Sequence, residues 1–221
     1  MRKYLTVLCL FLISAFTHNL YSQALNIGVK GGPNFSNMVE KSDYSTFSDV
    51  YDYTSGINIG LLLESPVENG LGGESGIYLN TRGYQLDQGD DENGVVGTFK
   101  TLWLEVPFKA TTEAVAGPLR FYASGGASGS LGLSGTMDME MTVLGNTTTT
   151  TEDIVWGDDP DEDDLLRIDY GAIGSVGAEL KSVFLEISYY HGLANLSPYT
   201  EDNYIITSRY FSFSLGYKFG L

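Results

Sequence analysis

The residues of this sequence whose types and spacing could do chemistry are few. His191 stands in "YYHGLANL", and His18, the other histidine, lies in the N-terminal segment that reads as a signal peptide. A lipid-A-modifying hydrolase of the His–Ser type would need a serine at the neighbouring same-face position, where this chain has Leu193. His191 therefore reads as a strand-end histidine, and no catalytic residue is assigned: the chain is expected not to be an enzyme. "WGDDPDEDD" sets Asp159, Asp161 and Asp163 at the one-three-five spacing of a calcium loop. The sixth position is Asp164 instead of glycine, and Tyr170 stands where the bidentate glutamate belongs. These aspartates are weak metal candidates; a solvated acidic loop is the plainer reading, and no cofactor is implied. The nearby "NTTTTT" contains an Asn-X-Thr sequon and reads as a low-complexity loop.

The larger set is electrostatic. Lys30, Arg82, Glu105, Lys109, Arg120, Arg167, Asp169, Glu179, Glu186 and Lys218 share the polar parity of alternating segments. If that parity faces an enclosed centre, these ions must pair or hydrogen-bond there. They then form either a salt-bridge network that plugs the lumen or the lining of a narrow gated ion path.

Positioning such a set takes strands. Eight segments alternate at period two: 25–35, 54–64, 72–86, 98–110, a fifth from Leu119, 168–180, 183–189 and the terminal "RYFSFSLGYKFGL". Connections alternate long and short, with long loops at 36–52, 86–97, 135–164 and 195–203. Short turns on one side and long loops on the other are the rhythm of an outer-membrane barrel. The expected fold is all-β, an eight-stranded antiparallel up-and-down transmembrane β-barrel. A general diffusion pore would need ~16 strands. The last strand is expected to pair with the first, which leaves no edge.

Charge follows the loops. Of the 28 acidic residues, 20 lie in the four long loops against one base, Lys41. The net charge of −16 excludes nucleic-acid binding, which needs clustered Lys and Arg. A soluble barrel also alternates, but its wet face would carry many more ions than the Gly, Ser and Thr seen here. Lys100 and Arg209 have outward parity near the extracellular rim, where they either meet lipopolysaccharide phosphates or snorkel.

Residues 1–22 read as a cleaved signal peptide: Arg2 and Lys3, then "YLTVLCLFLISAF", then small residues, with cleavage after Ser22 or Ala24. Residues 25–221 would be the barrel. Cys9 is the only cysteine, so the mature chain crosses an oxidising compartment without disulfides.

"IGVKGGPNFSNM", "LWLEVPFKA", "IDYGAIGSVGAEL", "ISYYHGLANL" and "FSFSLGYKFGL" together resemble the PorT-like outer-membrane β-barrel family, often labelled porin family proteins. The resemblance spans nearly the whole mature chain. It implies the outer membrane of a Gram-negative bacterium, with lipid and lipopolysaccharide as surroundings and envelope proteins as partners. Its function implications are coarser: a structural or surface-interaction barrel, a narrow channel, or a component of a gliding-type secretion apparatus. The end also resembles the signal read by the barrel-assembly machinery, with Ser214, Gly216, Phe219 and Leu221 at its defining positions.

Overall fold

The computed structural model describes residues 25–43, 51–89, 93–199 and 201–219. The signal-peptide segment and Leu221 lie outside these. The strands in chain order are β1 (Asn26–Lys41), β2 (Tyr51–Asp52), β3 (Thr54–Glu68), β4 (Leu71–Gly89), β5 (Asn93–Ala116), β6 (Leu119–Val143), β7 (Asn146–Asp153), β8 (Ile168–Leu180), β9 (Val183–Gly192) and β10 (Ile205–Phe219).

Eight of them close a ring in the order β1-β3-β4-β5-β6-β8-β9-β10, every pair antiparallel. The closing seam runs from Ile27↔Phe219 to Lys41↔Ile205. The last strand is therefore paired on both sides.

Turn chemistry fixes one end of the ring. Asn69 and Gly70 (φ 53° and 86°), Gly117 (φ 61°) and Lys181 (φ 60°) make its three tight hairpins. Positive φ at these positions matches the twist of the flanking strands.

The faces are the reverse of a soluble barrel. Ile57, Ile59, Leu61 and Leu63 point outward and are exposed, as are Val176, Leu185, Ile187 and Leu215. Inward positions hold Asn34, Asn58, Asn80, Ser128, Ser175, Ser188 and Ser212, all buried. Phe121, Tyr217 and Phe219 are exposed outward toward the short-turn end, where an interfacial aromatic girdle belongs.

Several expected loops are strands. β1 continues through Lys41, β4 reaches Gly89 and β5 starts at Asn93, so most of 86–97 is sheet. The "NTTTTT" run is β7, hydrogen-bonded to β6 from Thr136↔Asp153 to Val143↔Asn146. Threonine favours a pleated strand, and a run of threonines has no period to reveal it. The β5–β6 register shifts at Leu102/Trp103, marking a bulge. The extra residue moves the inward parity of β6 from even residues below (Ser130) to odd residues above (Met137).

Candidate functional site: a stacked charge network in the lumen

Three charged layers cross the barrel interior. Arg82 organises the layer nearest the long-loop end and is fully buried. Its Nη1 donates to Asp169 Oδ2 (2.7 Å) and Ser208 Oγ (3.3 Å), and its Nη2 to Glu105 Oε2 (2.5 Å) and Ser130 Oγ (2.8 Å). The Tyr210 hydroxyl donates to Glu105 and that of Tyr190 to Asp169, at 2.8 and 2.9 Å. The guanidinium lies 4.4 Å from the Tyr190 ring centre and 5.1 Å from that of Trp103. One cation thus faces two carboxylates, and the Tyr190, Ser208 and Tyr210 hydroxyls donate to the same carboxylates.

The middle layer is a square of two cations and two anions. Lys30 pairs with Glu186 (2.5 Å) and Glu74 (3.7 Å), and Lys109 with Glu74 (2.7 Å) and Glu186 (3.9 Å). Lys109 also donates to Ser175 Oγ at 2.9 Å. Between this square and the Arg82 layer lies a cavity of about 20 Å³, lined by Lys30, Asn80, Glu105, Lys109 and Tyr210 among others. That is room for about one water.

The third layer sits at the short-turn end. Lys218 pairs with Glu64 and Glu179, and Arg120 with Glu64, Glu113 and Glu179. Leu62, Tyr122 and Phe184 pack beside it. Gly216 makes space for this cluster, since a Cβ there would meet the Phe184 ring.

Above the Arg82 layer an apolar plug closes the other mouth. Met38, Phe99, Trp103 and Ile206 from strands meet Ile154, Leu165 and Leu196 from the connecting segments. Trp156 packs edge-on against Trp103, with ring centres 5.1 Å apart. Glu40 accepts from the Tyr51 and Tyr204 hydroxyls at the rim (2.8 and 2.9 Å). Burial and the Glu40 carboxylate push both phenols above their usual range, so both remain donors.

The outer membrane protein beta-barrel domain matches residues 19–197. The chain belongs to that family. Membership places it in the outer membrane, so its apolar exterior faces lipid. Solved structures similar to this barrel include neisserial surface protein A, at 12% identity over 89% of this chain and 99% of that one, with a TM-score of 0.43. Ail of Yersinia pestis, solved with the heparin analogue sucrose octasulfate, is 14% identical over 88% and 99%, TM-score 0.39. OprG of Pseudomonas aeruginosa is 13% identical over 90% and 98%, TM-score 0.40. No curated protein matches the chain at the sequence level.

Within this outer-membrane barrel the structure brings together Lys30, Arg82, Glu105, Lys109, Arg120, Asp169, Glu179, Glu186 and Lys218. Arg167 is a correction: it precedes β8 and is exposed, and its carbonyl accepts from Gly132 N–H. The strand begins one residue too late to turn it inward. Glu64, Glu74 and Glu113 complete the layers and were missed, although Glu74 shares the parity of Arg82 on β4 and Glu64 that of Asn58 on β3.

The other sequence-derived candidates lie apart. His191 points outward, its Nδ1 3.4 Å from the Tyr189 hydroxyl. Asp159, Asp161 and Asp163 form a turn whose carboxylates accept its own N–H groups: Asp163 Oδ2 from Asp159 (2.8 Å) and Asp159 Oδ1 from Asp161 (3.0 Å). Among the described residues no three His, Cys, Asp or Glu side chains converge as a metal site. Ser214 is buried and donates to Asn58 Oδ1 at 2.9 Å, whereas Phe219 is exposed. Lys100 is exposed, and Arg209 lies 5.7 Å from the Tyr53 ring centre.

Proposed function

We propose that this protein is a non-enzymatic envelope barrel with a side-chain-filled lumen, whose working surface is extracellular. The observation that carries this reading is the stack of three paired charge layers, with a cavity of only about 20 Å³ between two of them. A hydrated ion needs far more room, and moving one through would break buried ion pairs. The outward His191, with exposed Leu193 in place of a neighbouring serine, supports the non-enzymatic assignment. The alternative is a narrow gated path, favoured by the water-sized void on the barrel interior. Planar-bilayer recording of the refolded chain separates the two. A sealed barrel gives no single-channel steps at either polarity; reproducible steps would establish the channel.

The motif resemblance supports assignment to the PorT-like branch, a cleaved signal peptide and a Gram-negative envelope, with a secretion apparatus as the narrower placement. Ser214, Gly216, Phe219 and Leu221 serve in this reading as the signal for the barrel-assembly machinery. Phe219→Ala then lowers the yield of heat-modifiable barrel in outer-membrane fractions.

Lys100 and Arg209 are proposed contacts for lipopolysaccharide phosphates. A cation at an anionic lipid surface contributes about 1 kcal/mol. Reversing both to glutamate should therefore cut lipid-A co-purification roughly thirtyfold or more. Unchanged co-purification leaves snorkelling as their role.

A further inference from the structure

A tilted strand needs ~9–11 residues to cross a bilayer, whereas β5 has 24 and β6 has 25. Both are anchored at the Gly117–Pro118 turn, so their excess projects beyond the opposite membrane surface. There the ends of β4, β5 and β6, with β7 added, form a sheet standing in water.

This sheet has two unlike faces. The register places Leu86 across from Gly97 and Met139, and Val95 across from Met141. Met139, Met141 and Val143 are exposed, and Met137 at the base packs against the mouth plug. The opposite face carries Asp87, Asp138 and Glu140, with no Lys or Arg in residues 85–98 or 136–153. An apolar methionine face outside the membrane is an adaptable binding surface rather than a lipid contact.

The sheet also has an open edge. Among the described residues β7 pairs only with β6, and all eight of its residues are exposed. Its sequence, NTTTTTED, has neither the lysine nor the proline that commonly blocks edge pairing. β7 sets Thr148 and Thr150 beside the methionines and Thr147, Thr149 and Thr151 beside the acids.

We propose that β7 accepts an added strand from an extracellular protein segment that alternates apolar and basic residues. Main-chain hydrogen bonds to the β7 edge supply affinity. The apolar residues extend the methionine face, and the basic ones reach Asp138 and Glu140 across the threonines. Charge selects this occupant: a second copy of the chain would add another acidic face and no cation to offset the first, and anionic lipopolysaccharide would be repelled. The proposal rests on the surface-barrel reading and names the chemistry of its partner.

The test uses the full chain refolded in detergent and a labelled decapeptide alternating valine and lysine, read by fluorescence anisotropy. Saturable binding is expected, at least about tenfold weaker when glutamate replaces lysine or when alternate backbone nitrogens are methylated. Thr148→Pro and Thr149→Pro are made separately, because successive N–H groups of a strand point to opposite edges; one of them should weaken binding similarly. A chain with residues 139–150 replaced by an Asn-Gly turn should not bind, and heat-modifiable migration shows that its barrel is intact. Absence of saturable binding to the wild-type chain, undiminished binding to the shortened chain, or hairpin-dependent self-association in place of peptide binding would each overturn the proposal. Failure of the sealed-barrel reading appears separately, as conductance.

Discussion

Replacing Arg82 with alanine should destabilise the folded barrel by about 3–5 kcal/mol, the usual consequence of removing one partner from a buried ion pair. Glu105 and Asp169 are both fully buried, and Arg82 is the cation paired with each. Without it two carboxylates keep neutral donors such as the Tyr190 and Tyr210 hydroxyls, Ser208 and Asn80. Urea unfolding of the protein in lipid vesicles measures the loss. A triple substitution, Arg82→Met with Glu105→Gln and Asp169→Asn, removes the orphaned charges and should recover most of it. The comparison separates the cost of an unpaired ion from the net value of the network, which is commonly small. An Arg82→Ala protein as stable as wild type would mean that water reaches this layer and that the lumen is not sealed.

Trp103→Ala should cost a similar amount, about 3–5 kcal/mol, for a different reason. Trp103 is fully buried, packs edge-on against Trp156, and donates from Nε1 to Thr101 Oγ1 at 2.8 Å. Its ring also covers the Arg82 guanidinium. Truncation leaves a void that the closed sheet cannot collapse to fill, because the ring circumference is fixed by hydrogen bonds. Trp103→Phe keeps most of the packing and loses the hydrogen bond, so it should cost roughly 1–2 kcal/mol. The graded pair is read by the same unfolding assay. Iodide quenching of the remaining Trp156 should increase in the alanine protein. Equal costs for alanine and phenylalanine would mean that the plug is loosely packed.

The barrel was legible because each wall strand must satisfy two solvents at once. Ile57 to Leu63 alternate with Asn58, Gly60 and Leu62 since one face meets lipid and the other a crowded interior. The same parity exposed most of the charge network. It failed where strand ends decide orientation: Arg167 keeps the phase of the strand but lies just before it. Glu64 and Glu74 were within reach of the parity rule, and nothing about their spacing hides them. Of the eight acids outside the long loops, all but Glu68 join the buried layers, so charge that escapes the loops is itself a signal of the lumen.

Two features have no periodic signature. The mouth plug takes Ile154, Leu165 and Leu196 from irregular segments, whose inward turn depends on long-range packing against Met38 and Trp103. The projecting sheet carries polar threonines on both faces of β7, so hydropathy cannot distinguish it from a solvated loop. The β6 bulge adds to the difficulty, since Met137, Met139 and Met141 fall out of phase with the strand below.

Brominated-lipid quenching tests most directly which side of each strand meets the bilayer. The two tryptophans, Trp103 and Trp156, both belong to the mouth plug, so emission from the native chain reconstituted in brominated vesicles should be nearly unquenched. In a Trp103→Phe, Trp156→Phe background, a single Leu61→Trp or Ile187→Trp substitution should be strongly quenched. Quenching of the native pair together with sparing of the introduced residues would contradict the assignment of faces.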